Sequence, residues 1–121
     1  IFLAAAVIAA PAGAQVLQRN FPANALRGTL VVGAPPEATL NGKNARLAPG
    51  ARIRAQDNLL VMSASISGAS LLVHYTLDTY GLLREIWIRT PAEADKRPWP
   101  ETPAEAQTWV FDPVAQVWAK P

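Results

Sequence analysis

His74 is the single imidazole in the chain, and its unperturbed titration range is the one that lies near neutrality. As a general base it would need an orienting partner, and Glu85 or Tyr75 are the nearest candidates. A nucleophile is harder to find. Ser63, Ser65, Ser67 and Ser70 fall in SASISGAS, which contains no G-x-S-x-G elbow, and the chain has no cysteine. The carboxylates show no converging pair of the kind that glycoside hydrolysis needs. Asp57, Asp78 and Asp112 are accounted for by turns, Glu93 and Glu105 by helix starts. Glu37, Glu85, Asp95 and Glu101 remain, with no pattern among them. One histidine and no cysteine exclude a multi-histidine metal site, a zinc-thiolate site and an iron–sulfur cluster. There is no calcium loop and no glycine-rich nucleotide cradle. The expectation is a protein with no enzymatic activity, no metal and no cofactor. An unrecognised enzyme built on His74 is the outlying alternative.

Basic residues offer more. Arg46, Arg52 and Arg54 cluster on neighbouring expected strands, and Arg52 and Arg54, two apart, share a face. With Lys43 they form a candidate cationic stripe for an anion such as a lipid headgroup or an acidic glycan. The stripe lacks interleaved aromatics, and an exported chain meets little nucleic acid, so none is expected as a partner. Trp99, between Pro98 and Pro100, is the remaining binding candidate. It would plug a groove on its own domain or anchor a protein partner.

These residues need a scaffold, and residues 26–90 supply a β-pattern of short apolar runs broken by turn signals. Strands are expected near 26–32, 37–41, 51–55, 58–64, 70–77 and 82–90. Asn41-Gly42 suits a tight hairpin turn and Pro49-Gly50 the centre of a type II turn. Asp78-Thr79-Tyr80-Gly81 suits a three-residue loop with a bulge. That loop would set Tyr75 opposite Glu85, His74 opposite Ile86 and Val73 opposite Trp87. A slip of one residue would make His74 and Glu85 direct neighbours. Both faces of this hairpin are substantially apolar, so it requires cover on both sides.

The cover is expected from residues 91–121, which hold six of the eleven prolines and three of the four tryptophans. Thr-Pro-Ala-Glu-Ala occurs at 90–94 and again at 102–106. Each copy places Thr at the N-cap, Pro at the first helical position and Glu three residues after the cap. Trp109 to Trp118 reads as a terminal hairpin turning at Asp112-Pro113. Charge divides at the same boundary. Residues 15–90 carry eight basic and four acidic side chains, and residues 91–121 three basic and five acidic.

Residues 1–14, IFLAAAVIAAPAGA, are uncharged and end in a small-x-small pattern before Gln15. They read as the apolar region and cleavage site of a signal peptide whose first residues are missing, and they are too short for a stable membrane anchor. Residues 15–25 read as a mobile lead. The alanine-rich leader resembles those of bacterial exported proteins. The strand and turn pattern over 26–90 resembles exported OB-like small barrels of Gram-negative bacteria, which implies a periplasmic or secreted location. The expected architecture is mainly β, a small antiparallel barrel or sandwich. A Pro/Trp-rich C-terminal extension with one or two short helices and a terminal hairpin packs on it. The expected function is a non-catalytic binding or scaffolding role in the cell envelope, with an anionic envelope component or a protein as partner. The alternative is a weak polyanion or glycan binder using Lys43, Arg46, Arg52 and Arg54.

Overall fold

A computed structural model describes residues 18–121; the expected signal peptide at 1–14 and the first three residues of the expected lead lie outside the described residues. The strands are β1 (Leu26–Val32), β2 (Glu37–Leu40), β3 (Lys43–Arg54), β4 (Leu60–Val61), β5 (Ser70–Leu77) and β6 (Leu83–Ile88). Helices α1 (Pro91–Ala94) and α2 (Pro103–Thr108) follow, then a hairpin of β7 (Val110–Asp112) and β8 (Val117–Ala119). The protein is mainly β, with five strands closed in the cyclic order β1-β2-β3-β6-β5 and β4 added outside β3. This is the expected OB-like barrel with one correction. β3 and β6 run parallel, whereas the other pairs are antiparallel. Strand directions cannot alternate all the way around a ring of five, so one neighbouring pair must be parallel.

Turn chemistry places the strands. Asn41 and Gly42 both have positive φ, as the two-residue β2–β3 turn requires. At the β5–β6 turn, the Asp78 N–H donates to the Leu82 carbonyl at 2.9 Å, and Gly81 takes the left-handed position. The expected turn at Pro49-Gly50 does not form. Both residues stay inside β3, where Gly50, at φ +78°, carries a bulge between the Leu47–Leu83 and Arg52–Glu85 pairings. A bulge tolerates a proline because its missing donor interrupts no ladder bond. The strand expected over 58–64 is likewise reduced to Leu60–Val61. Ser63–Ile66 wind into a 3-10 turn, and the Ser65 hydroxyl donates to the Met62 carbonyl at 2.7 Å. Serine side chains of this kind compete with the ladder for backbone partners.

The β5–β6 register also differs from expectation. Leu77 faces Leu83, but Tyr75 faces Ile86, His74 faces Trp87 and Val73 faces Ile88. Arg84 and Glu85 together oppose Thr76, and the Glu85 N–H freed by this bulge donates to the Thr76 hydroxyl at 3.2 Å. The slip is the reverse of the one that would have joined His74 to Glu85. It turns Ile86 and Ile88 into the barrel and Trp87 out of it.

Two cores result. Leu30, Val32, Val73, Tyr75, Leu83 and Ile86 fill the barrel with Leu26, Ala38, Leu47 and Ile53. Outside β1, β5 and β6, Phe21, Ala25, Trp99 and Trp118 form a second cluster, flanked by Trp87, Trp109 and Phe111. The hairpin therefore packs on both faces at its centre. The terminal segment supplies much of the second layer, and residues 18–25, read as a lead, supply the rest. Arg19, Phe21 and Ala25 are buried, and Phe21 exchanges backbone bonds with the Gln116 side chain.

Candidate functional site

The β1–β5 register sets Arg27 directly opposite His74 on the outer face of the barrel. β1 alternates Leu26, Leu30 and Val32 inward, which leaves Arg27 to point out toward the second core. There its guanidinium meets the end of α1. The Thr90–Glu93 capping box starts that helix, with both reciprocal bonds formed. Arg27 closes the other end, donating to the carbonyls of Glu93 and Ala94. Such a cation satisfies carbonyls that a helix end leaves unpaired.

Glu93 has a second role that the capping box does not signal. Its carboxylate takes a bidentate pair from Arg19, at 2.5 and 2.8 Å, with both side chains buried. Arg19 also donates to the carbonyls of Ala55 and Ile88, at 3.0 and 2.8 Å. This latch ties the N-terminal segment, the barrel and α1 together.

His74 is fully buried behind these arginines. Phe21 stacks on it at 4.1 Å and Trp99 meets it edge-on at 4.6 Å. The Arg27 Nε–H donates to its Nε2 at 3.2 Å, so Nε2 must hold a lone pair and the proton belongs on Nδ1. Among the described residues Nδ1 has no hydrogen-bond partner. Burial, reinforced by the positive charges of Arg27, Arg89, Arg19 and Lys96, pushes the His74 pKa down to about 2. An imidazole whose basic lone pair already accepts from a buried arginine is poorly placed to take a proton from a substrate. Neither expected orienting partner reaches it. Tyr75 points into the barrel and donates to the Glu101 carbonyl at 3.1 Å, and Glu85 lies beyond the bulge.

In front of the arginines lies an open cleft of about 700 Å³. Arg27, Arg89, Arg97 and Lys120 line it, with Trp99 and Trp109 as aromatic walls and Glu101 and Glu105 as the acidic members. Arg27 lies 5.2 Å over the Trp99 ring, and Lys120 5.2 Å over the Trp109 ring. Among the described residues no carboxylate comes within ion-pair distance of Arg89, Arg97 or Lys120. Among the described residues the buried Arg89 Nε has no hydrogen-bond partner. Burial, with the nearby charges of Arg89 and Arg97, lowers the Arg27 pKa to about 10 against the opposing pull of Glu93 and Glu101. Burial also lowers that of Arg89. The cleft therefore holds more positive charge than its own carboxylates answer.

The residues singled out from the sequence stand elsewhere. Lys43, Arg46, Arg52 and Arg54 all lie on β3, a single strand rather than neighbouring ones. Arg52 and Arg54 do share a face. Arg46 pairs with Glu37 at 3.4 Å in an exposed contact, Arg52 is in register with Glu85, and Arg54 donates to the Asn58 carbonyl at 3.3 Å. Trp99 is buried in the second core, where its Nε1–H donates to the Ala25 carbonyl at 2.9 Å. Arg27, Arg89, Arg97 and Lys120 come from four separate parts of the chain, and no sequence window contains them all.

Among the described residues there is no cluster of three or more potential metal ligands, and no helix is long and apolar enough to cross a membrane. The chain matches no protein-family profile, no curated protein and no solved structure.

Proposed function

We propose that the protein is a non-catalytic binding domain of the bacterial cell envelope that recognises anionic material. One contrast carries this reading. Four cations line an open, indole-walled cleft, while the one imidazole is buried and tied to an arginine. Cations collected in a concave site attract anions without requiring any proton transfer. The alanine-rich leader supports the envelope location. A β-barrel that binds on its outer side also suits small OB-like domains, whose strands and loops serve as ligand platforms.

The experiment pairs turnover with retention. The full chain is incubated with ester, phosphate-ester, glycoside and peptide substrates. It is also passed over an acidic polysaccharide matrix at low salt. The expected result is no turnover above the blank, with retention that salt reverses. Turnover that disappears in His74→Ala overturns the reading, as does failure to bind the matrix.

A second reading places the anion on β3. The shared face of Arg52 and Arg54 favours it. The carboxylates Glu37 and Glu85 beside that strand oppose it.

A further inference from the structure

Resting on the binding reading above, we infer that the cleft is a subsite for an acidic sugar. The oxyanion is held by Arg89 and Arg97, and one ring face lies against Trp109. Arg89 is half-buried just past the end of β6, and among the described residues its buried Nε has no acceptor. Arg97 is exposed and has no carboxylate partner among the described residues. Guanidinium groups present donors in a planar fork that fits a carboxylate or phosphate. Trp109 is half-buried at the cleft wall with the Lys120 ammonium over its ring, and a ligand would meet the part of the indole that Lys120 leaves exposed.

Carboxylates select the class of anion. Glu101 and Glu105 stand in the same cleft as the cations. A nucleic acid, a polyphosphate or an anionic lipid surface would press closely spaced negative charges against them. An acidic sugar brings one charge per residue together with several hydroxyl donors, which carboxylates accept well. The Glu105 Oε1 is already engaged by the Glu101 N–H and the Thr102 hydroxyl. Among the described residues the Glu101 side chain accepts no hydrogen bond and is the freer acceptor. Cation, acceptor and flat apolar wall together match the three chemical features of such a ligand.

The test titrates the full chain with a galacturonate pentamer, with maltopentaose as its neutral counterpart, and with phosphatidylglycerol vesicles, reading tryptophan fluorescence and calorimetry. The acidic pentamer should bind and change the fluorescence, and the neutral one should bind at least about tenfold more weakly, as the loss of a charge-assisted contact predicts. Arg97→Gln combined with Lys120→Gln alters two exposed positions, so folding is retained, and it should lower pentamer affinity at least about tenfold. Arg89→Lys keeps the charge and should still weaken binding, because the fork is lost. Trp109→Leu should remove most of the fluorescence change. Equal affinity for both pentamers, or vesicle binding without pentamer binding, overturns the acidic-sugar site. Pentamer binding indifferent to Arg97, Lys120 and Trp109 overturns the cleft and leaves the general binding reading standing. No binding to any acidic probe removes both.

Discussion

Two cationic surfaces differ in how they are built. On β3, Lys43, Arg46, Arg52 and Arg54 follow one another along a strand, where Arg46 pairs with Glu37 and Arg52 stands in register with Glu85. At the cleft, Arg27, Arg89, Arg97 and Lys120 come from β1, the end of β6, the loop after α1 and the C-terminus. The first surface is largely exposed and carries one ion pair, Arg46 with Glu37, on its own sheet. The second is partly desolvated, as the lowered pKa values of Arg27 and Arg89 record. Charges held together at such a cost mark a site more strongly than charges spread along a solvated strand.

The largest effect that tests this comparison comes from the two ion pairs. Glu93→Ala leaves Arg19 buried without its carboxylate and removes the capping box of α1. Breaking a buried pair in this way should cost about 3–5 kcal/mol, read as a lower denaturation midpoint. Glu37→Ala on β3 breaks a pair whose side chains are 58% and 63% exposed. Its effect should stay within about 0.5 kcal/mol. Similar losses for the two variants would show that the cleft side is no more tightly bound than the β3 face.

Acid separates the surfaces next, because only the cleft has an imidazole behind it. Folded, His74 stays neutral down to about pH 2. Unfolded, it takes up its proton near pH 6.5. Between these values the unfolded chain binds more protons, so stability rises with pH. The contribution is complete above pH 6.5 and is lost as pH falls, at about 1.4 kcal/mol per unit. Denaturation at pH 6.5 and pH 5 should therefore differ by about 2 kcal/mol from this residue, above the ordinary carboxylate range. His74→Phe keeps an aromatic ring between Phe21 and Trp99 and should flatten that slope. A slope unchanged in this variant would assign the acid sensitivity to another group.

Smaller again is the effect of the helix caps. Thr90 caps the helix whose end Arg27 holds, whereas Thr102 caps α2 with exposed bonds. Thr90→Ala should cost about 1–2 kcal/mol, at the upper end for an N-cap, and Thr102→Ala about 0.5–1 kcal/mol. Equal losses would mean that α1 is not supported by the cleft.

Local chemistry made much of this architecture readable in advance. Asn41-Gly42, the Asp78–Gly81 loop and the two Thr-Pro-Ala-Glu-Ala copies all form the turns or helix starts their residue types require. The β-barrel and the terminal hairpin follow from these signals and from strand alternation. The register of β5 on β6 did not, because a one-residue bulge at Arg84 and Glu85 depends on a hydroxyl from the opposite strand. Nor could Pro49-Gly50 be told from a turn, since the bulge there exists only once β6 lies alongside. The cleft was illegible for a stronger reason. Its cations lie far apart in the chain, and only the β1–β5 pairing and the return of the C-terminal segment bring them together. Glu93 was half legible: its spacing from Thr90 announced the cap, and nothing announced Arg19.

The smallest expected effect is the sharpest test of which surface binds. Arg52 and Arg54 are the cations on β3 that share a face, and they are the best local signal in the sequence. Arg52→Ala with Arg54→Ala removes an exposed and a half-buried charge, the latter with its bond to the Asn58 carbonyl, and should change stability by no more than about 1 kcal/mol. If the cleft is the binding surface, affinity for the acidic pentamer should change by less than about twofold, because neither side chain lines the cleft and exposed charges that do not touch the ligand are screened by salt. The salt dependence of binding should also stay nearly unchanged, since these side chains would release no counterions on association. A tenfold loss, or a clear fall in the salt slope, would move the anion site to β3. The cleft would then be an electrostatic by-product of packing the C-terminal segment against the barrel.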